Sequence, residues 1–304
     1  MRAGIAVLAA PMLVIIVLAC ILAPLYASQV SQTDPFRSNV NGTAFGMDVL
    51  AENTAGLGLG VTPIGPTWHG AYLLGADTQG RDVAARLLYG GRTSLLIAGC
   101  ATVLCLALAA TLGVLSGFVG GAVDTVVAGL LDLLWAFPVY LLAISLSIVL
   151  ISQDLRIGPL LLTADSLALP ILILGVVYVP YVARPIRAQV LALRRAEFIE
   201  AAQATGGAPL HILRRHILPQ IWPGLIGFAP VVMAMALLTE AALSVLSIGV
   251  QAPAASWGTL IADGQALIYT RPMVAIAPGL AVLATVLALN VVGEAWRAAL
   301  ETRR

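Results

Sequence analysis

Six stretches of the sequence, 5–26, 93–118, 123–151, 167–183, 224–248 and 273–292, are apolar over most of their length and nearly free of charge. A helix needs about 20 such residues to cross a bilayer core. In lipid only helices and closed barrels satisfy their own backbone groups. The pattern therefore predicts an all-α polytopic membrane protein with six transmembrane helices. Composition agrees: 60% of residues are hydrophobic and 10% charged, with a mean hydropathy of +0.98, against roughly 45–50% and 25% in soluble domains. The first stretch continues past Cys20 and exceeds the apolar core of about 7–15 residues in a cleaved signal peptide, so it is read as a retained span. Pro138, Pro170, Pro180, Pro230 and Pro278 fall inside spans, where neighbouring helices and waters can satisfy the carbonyls that proline frees.

Every basic residue other than histidine is an arginine. Without a lysine the chain has no ordinary Walker A site, which needs that side chain at the β/γ-phosphates. Any ATP-driven work must be powered by another subunit, and no cofactor is expected in this chain. A net charge of +1 gives no bulk attraction to nucleic acid. With the N-terminus inside, the inner segments carry ten arginines (Arg2, Arg184, Arg187, Arg194, Arg195, Arg214, Arg215, Arg297, Arg303, Arg304) and the outer segments six (Arg37, Arg81, Arg86, Arg92, Arg156, Arg271). That bias places both termini in the cytoplasm.

Few residues look chemically active. Cys20, Cys100 and Cys105 lie in apolar runs and read as small buried hydrophobes. His69, His211 and His216 are scattered, which excludes a metal cluster by spacing, and no G-x-S-x-G elbow occurs. Trp135, Trp222, Trp257 and Trp296 sit near span ends, as interfacial anchors do. Gly113, Gly117 and Gly121 are spaced by four, which suits a close helix crossing or a bend at the membrane exit. Asp132 and Glu240 are candidate intramembrane carboxylates, while Asp124 and Glu294 are expected near the inner surface. Such groups invite a functional reading. Two isolated carboxylates do not make a proton relay, so pairing with neighbouring helices is favoured.

Three regions follow: a first transmembrane helix at 1–26, an external segment at 27–91 rich in Gly, Pro and Asn, and a core region at 92–304. Loops as long as 27–91 carry function or their own fold. The core contains an inner loop at 184–223, too charged to span. In it Ile186, Val190, Leu193, Phe198 and Ala201 recur with helical spacing. Gly206-Gly207 breaks that helix, Pro209 starts another and Pro219 ends it. From periodicity this element is either an amphipathic hairpin on the membrane surface or a docking helix for a cytoplasmic partner.

Within that loop, Glu200-Ala201-Ala202, Gly206 and Ile217-Leu218-Pro219 resemble the E-A-A, three residues, Gly, nine residues, I-x-L-P pattern of ABC importer permeases. His216 stands at the first Ile position, as in the peptide/nickel branch. Leu74-Gly75-Ala76-Asp77, Gly80-Arg81-Asp82-Val83 and Arg86-Leu87-Leu88-Tyr89-Gly90 are similar to that branch's L-G-T-D-x-x-G-R-D-V…R-L-L-Y-G segment. Gly117-Phe118-Val119-Gly120-Gly121, Asp132 through Pro138, Thr239-Glu240-Ala241, Gly249-Val250-Gln251 and Ser256-Trp257-Gly258 continue the match in order. Ala76 stands for a Thr, Ser247 for a Gly and Gln220 for an Asn.

The resemblance is to the C-type permease of dipeptide/oligopeptide importers. It implies a type I ABC importer permease fold in a bacterial inner membrane, with a non-catalytic role in peptide transport. Its implied partners are a second homologous permease, forming a heterodimer, two cytoplasmic ABC ATPases that bind ATP and Mg, an external solute-binding protein, a peptide substrate and membrane lipid. Glu200, Ala201, Ala202, Gly206, His216, Leu218 and Pro219 would form the ATPase-coupling loop. Gly75, Asp77, Gly80, Arg81 and Asp82 would form an external motif. The competing function is a stand-alone ion-coupled secondary transporter or channel, which calls for internal repeats with broken helices at the midplane; the two halves show no convincing similarity.

Overall fold

The computed structural model describes residues 2–52, 61–152, 155–157, 160–162 and 166–301. Parts of the expected 27–91 and 92–304 regions, and Arg303 and Arg304 of the charge count, lie outside the described residues. The longer helices run α1 (Arg2–Ile21), α2 (Val83–Val119), α3 (Gly121–Ala136), α4 (Val139–Ser152), α5 (Ala168–Val177), α6 (Val179–Arg194), α7 (Glu197–Ala204), α8 (Leu218–Gly227), α9 (Ala229–Val245), α10 (Trp257–Gln265) and α11 (Met273–Glu301).

The chain is helical, with one correction to the all-α expectation. Antiparallel pairs join β1 (Thr43–Ala44) to β2 (Met47–Asp48), β3 (Leu50–Glu52) to β4 (Val61–Pro63), and β5 (Leu155–Ile157) to β6 (Leu160–Leu162). These stretches lie between helices, where backbone N–H and C=O groups still need partners. Phe45 and Gly46, with φ of 53° and 73°, form the β1–β2 turn. Two positive φ values match the right-handed twist of the flanking strands.

Among the described residues, two helices, α2 and α11, are long and apolar enough to cross a membrane unaided. Four further pairs qualify only as bent units, which gives up to six crossings: Leu8–Ile21 with Ala23–Ser31 (50°), Gly121–Ala136 with Val139–Leu150 (94°), Ala168–Val177 with Val179–Arg194 (42°) and Pro209–Gly227 with Ala229–Val245 (42°). Each bend stands at or just before a proline, respectively Pro24, Pro138, Pro180 and Pro230. Proline lacks the N–H of the ladder and disfavours helical geometry in the residue before it. The stretch 123–151, read as one span, is a sharply folded pair. α2 begins at Val83 rather than near 93, because Asp82 caps it: one carboxylate oxygen accepts from the N–H groups of Ala84 (2.9 Å) and Ala85 (3.1 Å).

α2 is the axis of the core. Ile97, Ala98, Ala101, Cys105 and Ala109 are buried on it against Ile173 and Leu174 of α5, Val182, Ile186 and Val190 of α6, and Val232 and Leu237 of α9. Between membrane helices contact packing matters more than exclusion of water, and small residues permit it. A Cβ at Gly113 would sit 2.9 Å from the Ala183 carbonyl oxygen, and one at Gly117 2.8 Å from Val190 Cβ. These two glycines make the α2–α6 crossing, while Gly121 (φ 56°) has open space and belongs to the turn into α3. Gly117→Leu is expected to lower stability by about 1–3 kcal/mol through overpacking, read as thermal unfolding in detergent. Gly129→Leu, where a Cβ meets nothing within 4 Å, is the comparison and is expected to stay within about 0.5 kcal/mol.

Two further expectations change. Cys100 is exposed on α2, although Cys20 and Cys105 are buried. Trp257 is buried rather than interfacial: its indole N–H donates to the Leu87 carbonyl (3.0 Å) and its backbone N–H to Ser94 Oγ (3.1 Å). The Ser256–Thr259 capping box starts α10 there and turns the ring inward against α2.

Candidate functional site

Residues 27–52 and 61–82 close over the start of α2 through a buried charge cluster. Asp77 Oδ1 accepts from the N–H groups of Gln79 (2.9 Å) and Arg81 (3.0 Å), forming a tight turn. The turn needs Gly80: its φ is +72°, and a Cβ there would lie 2.4 Å from the Asn39 carbonyl oxygen. Asp77 Oδ2 pairs with Arg81 Nε at 2.7 Å and with Arg86 Nε at 3.4 Å. Both guanidinium groups also reach Asp263 of α10, at 3.0 and 3.1 Å, and Arg86 donates to the Pro35 carbonyl at 3.1 Å. Asp82 stays outside these pairs. Its second oxygen accepts from the Tyr72 N–H (2.8 Å) and the Thr33 hydroxyl (3.3 Å).

Burial pushes the Asp82 carboxyl above its usual range, opposed by the N–H groups of Tyr72, Ala85 and Ala84. Burial also raises Asp263, opposed by Arg86 and Arg81. The sequence motif Gly75, Asp77, Gly80, Arg81 and Asp82 is thus brought together in one place. Gly75, at φ +89°, packs on the Ile64 carbonyl. Asp263 is missing from the sequence-based set. A second lock joins the same regions, where Arg271 Nε donates to the Pro63 carbonyl at 2.7 Å.

Glu240 of α9 is wholly buried near this end of α2. Ser244 Oγ donates to its Oε1 at 2.8 Å, the Ser94 and Ser256 hydroxyls stand beside it, and Oε2 has no hydrogen-bond partner among the described residues. Each of the three serine oxygens accepts a backbone N–H, from Val250, Trp257 and Thr259. Their hydroxyl hydrogens are thus directed elsewhere, and that of Ser244 goes to the carboxylate. Asp132 is placed differently: it is exposed and paired with Arg184 NH2 at 2.7 Å, and that guanidinium lies 5.1 Å from the centroid of the Trp135 ring. Asp124 pairs with both nitrogens of Arg187, Nε at 2.6 Å and NH2 at 2.7 Å, and also contacts Ser116 Oγ.

The 184–223 region is built around α7. α6 ends at Arg194, and α7 follows after a break as a separate short helix whose buried anchor is Ile199. Glu200, Ala201 and Gly206 are exposed and Ala202 is half-buried. Glu197 and Glu200 occupy the first turn, where the helix dipole favours negative charge. Glu200 makes neither a cap nor an arginine pair among the described residues. The helix stops in a Schellman motif: Gly206 N–H bonds the Gln203 carbonyl (2.9 Å) and Gly207 N–H the Ala202 carbonyl (3.0 Å). Gly206 takes the left-handed φ of +81°, and a Cβ there would meet nothing within 4 Å.

The return arm differs from expectation at Pro219. Pro219 lacks the N–H that would bond Arg215, and its ring crowds that carbonyl. The preceding turn, Leu213–Ile217, widens to a π-helix with Leu218 N–H on the Leu213 carbonyl, and the chain continues as α8. His216 lies in the widened turn, with its ring 6.4 Å from Phe198 and 6.3 Å from His211. Leu218 is half-buried and Pro219 exposed. Ile212, Ile217 and Ile221 are buried beneath, and Gln189 Nε2 donates to the Gln220 carbonyl (3.2 Å), tying α6 to α8. The arrangement is a short exposed helix held at the tip of two braced arms.

Residues 109–304 match a family described as binding-protein-dependent transport system inner membrane component. A putative peptide transport system permease protein of Brucella suis biovar 1 is 36% identical over 232 residues, covering 76% of this chain and 74% of that one. The dipeptide transport system permease protein DppC of Alkalihalophilus pseudofirmus is 34% identical, with coverages of 75% and 71%. The oligopeptide transport system permease protein OppC of Haemophilus influenzae is 30% identical, with coverages of 78% and 72%. Among solved structures, an inward-facing MetNI methionine ABC transporter superposes with a TM-score of 0.55 at 20% identity, over 70% of this chain and 95% of that one. At that identity the likeness is one of fold.

Proposed function

Since the chain belongs to the family of binding-protein-dependent transport system inner membrane components, we propose that it is the translocation subunit of an ATP-driven importer for peptides. In this reading both termini and α7 face the cytoplasm, and the 27–91 segment faces outward. A second, related permease completes the path, two ABC ATPases dock inside, and a solute-binding protein delivers the peptide outside. The names of the relatives support the peptide class and leave the length of the peptide open.

The observation that carries this reading is α7: an exposed short helix with Ala201, Ala202 and Ala204 in its last turn, ended by Gly206 and braced by α6 and α8. Small side chains let another protein approach the backbone closely. The bracing makes α7 a lever. Closure of the ATPases moves it, α6 carries the motion to α2 through the Gly113–Gly117 crossing, and the Arg187–Asp124 pair carries it to α3. ATP and Mg belong to the ATPases, and this chain orients and transmits.

Tagged chain purified gently from its native host is expected to bring down a second permease and Walker-A-bearing ATPases. Once reconstituted, that complex should take up a labelled dipeptide or oligopeptide in a vanadate-sensitive manner. Uptake by this chain alone, driven by an ion gradient, would overturn the proposal in favour of a secondary transporter.

A further inference from the structure

Beside the tip formed by α7, the stretch from Ala208 through the π-turn to the start of α8 borders an open groove of about 690 Å³ lined by Ala208, Leu210, His211, Arg214, Arg215 and Pro219. Its lining holds two guanidinium groups and an imidazole, and no carboxylate. Arg81, Arg86, Arg184 and Arg187 are each spent on a carboxylate. Arg214 and Arg215 make no ion pair or side-chain hydrogen bond among the described residues. The opposite face of the same segment is apolar and buried, through Ile212, Ile217 and Ile221. The groove is therefore firmly mounted while its cations point outward.

Position decides what such a groove takes. Pro209–Gly227 runs through a 42° bend into Ala229–Val245, and together they are long and apolar enough for one crossing. Along its exposed face the order is Arg214 and Arg215, then Trp222 (59% exposed) two turns on, then the apolar span. Cation, indole, apolar helix is the sequence in which a bilayer presents phosphate, interface and hydrocarbon. Exposed Leu210 adds an apolar wall to the groove.

We propose that His211, Arg214 and Arg215 form a binding site for the headgroup phosphate of an anionic glycerophospholipid, seated beside the α7 lever. The site does not depend on which solute is carried.

The test uses the purified full chain with whatever co-purifies, in micelles containing equal phosphatidylglycerol and phosphatidylcholine, with retained lipid counted by native mass spectrometry. Selective retention of phosphatidylglycerol is expected. The Arg214→Gln/Arg215→Gln variant should bind it about 30-fold more weakly, from the usual contribution of two basic side chains at an anionic surface. His211→Gln should show a smaller loss. The Lys/Lys variant, which keeps the charge, should stay within a few-fold of wild type, and Arg37→Gln should not change it. Three results would overturn the proposal: equal retention by wild type and the Gln/Gln variant, competition by inorganic phosphate as effective as by the lipid, or loss of co-purifying proteins with lipid retention unchanged. The last would assign the groove to a protein partner.

Discussion

Gly206→Arg is expected to reduce transport to background while the chain still inserts and folds. The two halves of that statement have separate physical grounds. A side chain at Gly206 meets no atom of this chain within 4 Å, so the internal cost is confined to holding a non-glycine residue at φ +81°, about 1–2 kcal/mol. Outward from Gly206 the same side chain enters the space the ATPase is proposed to occupy. A graded series separates the effects. Gly206→Asn, which tolerates the left-handed conformation, should retain most activity. Gly206→Ala carries the backbone strain with a small side chain and should fall between. Uptake, ATPase co-purification and thermal unfolding are measured on the same preparations. Normal uptake by the arginine variant would remove α7 as the docking element.

The second large effect concerns stability. Arg86→Ala removes one of two cations from a buried cluster and leaves Asp77 and Asp263 to share Arg81, with the Pro35 carbonyl unpaired. Breaking a buried pair on one side costs about 3–5 kcal/mol, because the remaining charge stays desolvated. Thermal unfolding of the detergent-solubilised chain should register that loss, with the 27–91 segment becoming sensitive to protease first. Asp263→Asn should cost less, since the Asp263 side chain is 34% exposed and water can serve its partners. A loss below about 1 kcal/mol for Arg86→Ala would mean that the cluster is solvated and holds nothing together.

The apolar stretches and their order were legible in the sequence because lipid imposes a length and a composition on any helix that crosses it. The bends were legible only as prolines. The bend at Pro138 is 94°, where Phe137 turns extended (ψ 137°), whereas those beside Pro180 and Pro230 are 42°, with Tyr178 and Phe228 still in the helical region. Pro219 misled for a related reason: a widened turn absorbed the missing bond, and the helix went on. The motif from Gly75 to Asp82 was recognisable, yet the missing member of its charge cluster was not. Two arginines beside Asp77 and Asp82 look balanced on paper. The balance fails because Asp82 is committed to the N–H groups of Ala84, Ala85 and Tyr72, so a further carboxylate is required, and Asp263 supplies it. The Arg187–Asp124 pair needed the α3–α6 juxtaposition, which no local pattern encodes. For α7, periodicity left surface hairpin and docking helix open; Gly206 and its Schellman end favour an exposed tip.

The buried cluster also bears on how the protein is made. Arg81 and Asp263 are 182 positions apart, so synthesis delivers Asp77, Arg81 and Arg86 long before their last counter-charge. Until α10 emerges, two guanidinium groups have one carboxylate between them. The 27–91 cap can be drafted early but not sealed. A polypeptide that stalls before Asp263 is left with an open cap and a surplus positive charge beside the start of α2. Sealing of the cap thus waits on α10, which brings Asp263, and does not wait on α11.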